Sequence, residues 1–257
     1  MDFLAAIGRT FLIFLESTGR LTRFAVRSVS HCVRPPIYFH LIGRQMIDIG
    51  YYSLPVVGLT ALFTGMVLAL QSYTGFARFQ AEGAVATVVI LSITRELGPV
   101  LAGLMVAGRI GASMAAEIGT MRVTEQIDAL STLATDPFKY LVAPRLIAGL
   151  TMLPLLVIVA DIIGVFGGFL VSVYKLGFNP AVYLSKTWEY LKVIDVVSGL
   201  VKAGVFGFVI ALMGCYHGYR SRGGAEGVGA ATTNAVVSSS IMILICNYLI
   251  TGMFFSK

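Results

Sequence analysis

Charge is scarce in this sequence. Only 12% of its 257 residues are Asp, Glu, Lys or Arg, about half the share of a soluble domain. So little charge cannot coat a globular surface, and 57% hydrophobic residues exceed what one core of this size needs. Lipid is the solvent that accommodates the excess. Cysteine is also sparse: Cys32, Cys215 and Cys246 form no CxxC or Cys/His cluster, which excludes a disulfide framework or a zinc site of the usual spacing. No GxxxxGK[ST] phosphate loop is present, so the chain does not bind ATP in that manner. His31, His40 and His217 are isolated, and no HExxH or Ser/His/Asp arrangement accompanies them. The N-terminal apolar stretch is interrupted by Arg9 and Glu16 and lacks an Ala-x-Ala site, unlike a cleaved signal peptide. The formal net charge is +6. No basic run is interleaved with aromatics as nucleic-acid binding would require, so the excess is ascribed to basic residues left in cytoplasmic loops.

What is present is long apolar runs. Stretches at about 51–74, 84–114, 145–175, 195–217 and 229–254 each exceed the roughly 20 residues that span a bilayer. Residues 2–30 differ. Phe3, Leu4, Ile7, Phe11, Phe14, Leu15, Leu21 and Ala25 recur at helical spacing opposite Asp2, Arg9, Glu16, Arg20, Arg23 and Arg27. That pattern predicts an amphipathic helix lying in the membrane interface, ended by Pro35-Pro36. With no linker or repeat, the chain reads as one domain over 1–257: interfacial helices in 1–45 and a five-helix bundle over 51–254.

Basic residues orient the bundle. With the N-terminus cytoplasmic, the inner segments hold Arg9, Arg20, Arg23, Arg27, Arg34, Arg44, Arg109, Arg122, Lys139, Arg145, Arg220 and Arg222. The outer segments hold only Arg78, Lys175, Lys186, Lys192 and Lys257, so the N-terminus is expected inside.

Three features carry possible chemistry. Gly103, Ala107, Gly111, Ala115 and Gly119 stand four residues apart, flanked by Gly108, Ala112 and Ala116; one smooth helix face results. It serves either packing within the chain or a dimer seam. Second, Arg95-Glu96 precedes Gly98-Pro99 inside a span, with Glu96 roughly 18 Å from the outer end at 1.5 Å per residue. Lys202, roughly 10 Å deep in the fourth span by the same arithmetic, is its candidate partner. Charges at such depth need a partner or a polar cavity, so this is either a structural ion pair or a cavity for a charged headgroup. Asp161 and Asn247 are further intramembrane polar groups, expected to hydrogen-bond a neighbouring helix. Third, Thr120–Leu130 is helical in pattern, with Val123, Ile127 and Leu130 on one face and Thr124, Glu125, Asp128 and Ser131 on another. A helix over 120–131 with outward acids suits docking on a basic groove of a soluble partner, or else lies on the membrane surface.

These residues resemble a known family. Arg34-Pro-Pro through Leu54–Gln71, Arg95-Glu-Leu-Gly-Pro-Val-Leu, Ala107-Gly-Arg-Ile-Gly-Ala, Ala116–Leu130 and Pro144-Arg145 are similar to the MlaE/YrbE permeases of ABC systems that move phospholipids between Gram-negative inner and outer membranes. The resemblance implies an all-α integral membrane fold: an N-terminal interfacial amphipathic helix, five transmembrane helices and a cytoplasmic coupling helix. It implies a homodimeric, non-catalytic permease of the bacterial inner membrane that maintains outer-membrane lipid asymmetry. Its implied partners are an ABC ATPase that binds ATP and Mg, a STAS-domain subunit and a periplasmic MCE-domain hexamer that accepts lipid. By the same resemblance the substrate cavity holds Arg95, Glu96, Lys202, Asn247 and Gln71, and Arg122, Glu125 and Asp128 couple to the ATPase. Asn247 departs from the aspartate that similar permeases often carry, leaving the expected charge network one acid short. The competing reading is an ion-coupled secondary transporter or channel for a small charged solute. Such folds show repeated broken helices, whereas here a single Glu-x-Gly-Pro interruption occurs and five spans do not halve evenly.

Overall fold

A computed structural model describes residues 2–78 and 82–255. Lys257 and the side chains of Asp2, Phe3, Leu4, Ile7 and Phe14, all used in the sequence reading, lie outside the described set. Every regular element among the described residues is helical, and five helices are long and apolar enough to cross a membrane: Phe39–Ala77, Val85–Val123, Phe138–Tyr174, Val193–Tyr219 and Gly224–Phe255. The chain is an all-α integral membrane protein.

The first of these is not one straight rod. A helix over Phe39–Ile49 packs on the third span, a turn at Tyr51–Ser53 intervenes, and the crossing helix proper is Leu54–Ala77. A further short helix, Pro180–Tyr190, precedes the fourth span, its N-cap Asn179 accepting the backbone N–H groups of Ala181 and Val182 at 2.9 and 3.3 Å. The end of the bundle bearing residues 124–137 is here called the lower end, and that bearing Pro180–Tyr190 the upper end.

The fourth span is the axis. It is the most deeply buried, packing against the second, third and fifth, while the fifth is largely exposed. Hydrophobicity alone cannot hold spans together in lipid, so their contact depends on backbones that approach closely. The third and fourth spans cross at Gly149 and Gly207, where a Cβ built on Gly149 would stand 2.6 Å from the Gly207 carbonyl. The small-residue stripe of the second span is used in this way. Ala107 and Ala115 are fully buried, Gly103 faces Phe206 and Ile243, and Gly111 faces Ile210, so the stripe packs against the fourth and fifth spans of its own chain. Gly108, on the flank, faces open space instead.

The N-terminal helix, Asp2–Val33, matches the expected extent. Leu12, Val26, Val29 and Val33 are exposed, whereas Phe24 and Ser28 are buried against the lower end of the bundle, Phe24 lying 5.2 Å from the Phe138 ring. An amphipathic helix with one stripe docked and others exposed suits the membrane interface.

The continuous helix expected over 120–131 is interrupted. The second span runs to Val123; Glu125 takes a left-handed conformation (φ 61°), and a new helix begins at Gln126 and ends at Thr132. A left-handed residue ends a helix because it turns the next carbonyl out of the ladder. The two faces survive the break: Ile127 is buried, and Thr124, Glu125, Asp128 and Ser131 are exposed.

Candidate functional site

The Arg95-Glu96 pair lies in a π-helical segment, Ile93–Leu97, within the second span. The Gly98 N–H bonds the Ile93 carbonyl, five residues back, one residue before Pro99, which has no N–H to give. Such π-bulges recur at functional sites because they re-aim side chains inside a helix. Here the segment directs both charges towards the fourth and fifth spans.

Lys202, with a side chain 0% exposed, donates from Nζ to Glu96 Oε1 and to the Arg95 carbonyl, both at 2.7 Å. From the span boundaries Lys202 stands nine residues in and Glu96 eleven, a depth difference of roughly 3 Å that the lysine stem bridges. On the other side of the carboxylate, Asn247 Nδ2 donates to Oε2 at 2.8 Å, and Thr251 Oγ1 lies 2.9 Å from Oε1. The single Thr251 hydroxyl hydrogen also has the Asn247 carbonyl within 2.8 Å, so it serves one acceptor at a time. Glu96, on the second span, is therefore held by two others, the fourth and the fifth.

Arg95 points to a partner absent from the sequence reading. Its Nε and a terminal nitrogen both reach Asp195 Oδ1 at 2.8 Å, and its guanidinium lies 4.4 Å from the Phe255 ring centre. Asp195 is fully buried at the start of the fourth span, where its second oxygen accepts the Lys192 N–H at 3.0 Å. This corrects the expectation that Asn247 leaves the network an acid short: Arg95 and Lys202 are balanced by Asp195 and Glu96. The available signal was Lys192-x-x-Asp195 opening the span, with Asp195 seven residues before Lys202 and so on the same face.

Gly199 makes the assembly possible. A Cβ there would overlap the Thr94 carbonyl, so only glycine lets the fourth span press against the π segment. The network is not sealed: the Arg95 and Glu96 side chains remain 32% and 36% exposed while Lys202 and Asp195 are buried. Polar groups half open at this depth form a wall that a lipid headgroup can reach.

The other predicted residues separate. Gln71 is exposed on the first span and takes no part in these bonds. Asp161 does not hydrogen-bond a neighbouring helix as expected; its Oδ1 is buried beside Gly98 with no partner among the described residues. Arg122 and Asp128 pair with each other at 2.6 Å across the helix break, leaving Glu125 projecting. Two basic residues assigned to inner loops are structural. Arg109 lies in a second π segment, Ala107–Gly111, and donates to Ser53 Oγ at 2.8 Å; Arg145 is buried and pairs with Glu117 at 2.8 Å.

The Asn247 amide is the group on which the charge balance turns. Asn247→Asp would replace a donor to Glu96 by a second carboxylate with no added cation. The expected result is a destabilisation of about 1–3 kcal/mol, the cost of a lost buried donor, read as a lower melting temperature of the purified chain.

A bundle of five apolar spans whose buried charges meet at one partly open wall defines a multi-pass membrane protein. The Permease MlaE family model matches residues 42–253. The chain belongs to the MlaE permease family. A probable ABC transporter permease protein of Rickettsia felis is 63% identical over 250 residues, covering 97% of this chain and 96% of that one. The intermembrane phospholipid transport system permease protein MlaE of Haemophilus influenzae is 34% identical over 260 residues, 99% and 98% of the two chains. The chloroplastic protein TRIGALACTOSYLDIACYLGLYCEROL 1 of Arabidopsis thaliana is 37% identical over 227 residues, 88% of this chain and 65% of that protein.

Proposed function

We propose that this chain is the membrane subunit of an ATP-driven phospholipid transporter, passing lipid between the bacterial inner membrane and a periplasmic MCE-protein carrier and so maintaining outer-membrane asymmetry. The observation that carries the reading is the Glu96–Lys202–Asn247–Thr251 and Arg95–Asp195 network, which opens a charged wall inside an otherwise apolar bundle. Its two exposed members offer both signs of charge, as a phospholipid headgroup with a phosphate and an amine requires.

Two copies of the permease enclose the cavity in this proposal, the N-terminus facing the cytoplasm. A separate ATPase binds ATP and Mg, docks on the Gln126–Thr132 helix and carries a STAS-domain subunit; an MCE-domain hexamer receives lipid above. Nucleotide-driven closure moves the docked helix. The motion passes through the continuous second span, whose lower end is that helix's neighbour and whose upper third holds the Ile93–Leu97 π segment. Glu125 and Asp128 supply the exposed acids of the docking face.

Purification of the chain with its operon neighbours should yield ATPase activity and bound phospholipid by mass spectrometry; recovery of neither overturns the proposal. Glu125→Lys with Asp128→Lys should abolish co-purification of the ATPase while leaving membrane insertion intact, and an unchanged pull-down would remove the docking role.

A further inference from the structure

A second concentration of positive charge lies away from the network, at the lower end. An open groove of about 440 Å³ runs between the N-terminal helix and the ends of the second and fourth spans. Its floor is aromatic: Phe24, Phe138 and Tyr219 pack with ring centres 5.2–6.0 Å apart. Around that floor stand Arg20, Arg23, Arg27, Arg122, Arg220 and Arg222.

Two of these are neutralised within the chain, Arg20 by Glu16 at 2.5 Å and Arg122 by Asp128 at 2.6 Å. The other four have no carboxylate partner among the described residues. Arg27 lies 4.1 Å over the Phe138 ring, and Arg220 donates only to the Tyr216 hydroxyl at 3.2 Å. Four guanidinium groups converging on one groove repel each other unless an anion sits among them. Arginine's planar fork matches phosphate oxygens in particular.

The position of the groove selects the source of that phosphate. Leu12, Leu15 and Val26 are exposed on the helix that carries Arg23 and Arg27, so its apolar surface is immersed and its arginines stand at headgroup depth. Basic pockets between helices at the membrane surface are suited to anionic lipid heads. We propose that this groove retains an anionic phospholipid of the adjoining leaflet, its phosphate held by Arg23, Arg27 and Arg222 and its glycerol region over the aromatic floor. The site is distinct from the intramembrane network and anchors the N-terminal helix to the bundle through lipid.

The test uses the full chain in detergent, with phosphatidylglycerol or phosphatidylcholine added and retention read by native mass spectrometry. Phosphatidylglycerol should be held preferentially. Each arginine neutralised should weaken it about fivefold, so Arg23→Gln, Arg27→Gln and Arg222→Gln together should weaken it about a hundredfold, with helical content by circular dichroism unchanged. If the triple variant does not fold, Arg222→Gln alone, at an exposed site beyond the fourth span, should still show the fivefold loss. Equal retention of the two lipids, or wild-type retention by the variants, overturns the proposal. So does inorganic phosphate binding the groove as tightly as the lipid, which would make it a free-anion site. Variants that release the ATPase yet keep phosphatidylglycerol would assign the groove to an acidic protein surface and likewise overturn it.

Discussion

Lys202→Met should abolish transport and lower the stability of the chain by about 3 kcal/mol, the lower part of the range for removing one partner of a buried ion pair. The lower part applies because Glu96 keeps the Asn247 and Thr251 donors and is partly open to its surroundings. The Arg95 carbonyl also loses its lysine donor. The informative experiment is the double variant Lys202→Met with Glu96→Gln. Removing both charges leaves no unpaired charge, only the Arg95 carbonyl without its donor, so melting temperature should return most of the way to wild type. Transport should not return, because the charged wall is gone. A double variant that recovers transport along with stability would show that the pair only holds helices together. Lys202→Glu should be more severe than either, since it sets two carboxylates against each other, and wild-type detergent resistance in a complemented knockout would make Lys202 a bystander.

Gly199→Val is the second large effect, and it acts without touching a charge. The Thr94 carbonyl occupies the space a Cβ needs, and Pro99 Cγ closes the far side at 3.4 Å. A carbonyl locked in the π segment cannot swing away as a flexible side chain would, so the fourth span must retreat. Retreat separates Asp195 from Arg95 and Lys202 from Glu96 together. We expect a loss of at least about 3 kcal/mol, at or beyond the usual cost of overpacking a core, and a chain that inserts but melts early and carries no lipid. Gly199→Ala should show the same effect in smaller measure. Thermal unfolding in detergent alongside lipid transfer in vesicles measures both; a Gly199→Val chain with wild-type melting would mean that the close approach is dispensable.

Much of the architecture was readable from local pattern. The five spans were recognisable because an apolar run of bilayer length has few other uses, and the N-terminal helix because its charges repeat at helical spacing. The boundaries erred where helix continued beyond the apolar stretch: the second span extends to Val123, well past the predicted 114, since a helix persists on its own hydrogen bonds after leaving hydrocarbon. The helix after Pro35-Pro36 runs to Ile49, past the interfacial region expected to end at 45, and the Pro180–Tyr190 helix was missed as a separate element, being too short for a span and mixed in composition. The break at Glu125 was missed too, because nothing about glutamate announces a left-handed backbone.

The Glu96–Lys202 pair was legible because two unlike charges stranded at similar depth leave few alternatives. Asp195 was not, because at a span's edge a carboxylate needs no special explanation. Its importance appears only when a helix a hundred residues earlier brings Arg95 against it. The small-residue stripe shows the same limit: spacing proclaimed close packing, but the partner could have been either this chain or a second copy.

The sequence by itself determined that this is a five-span helical membrane protein with buried charge and no phosphate loop of its own. Hydropathy and depth are properties of single helices, set by the residues each one carries. Tertiary structure alone decided that the charges balance as two pairs, that the stripe is spent within the chain and that arginines of the N-terminal helix, the second span and the segment after the fourth span converge at the lower end. Each is a relation between helices far apart in sequence, set by where glycines let backbones meet.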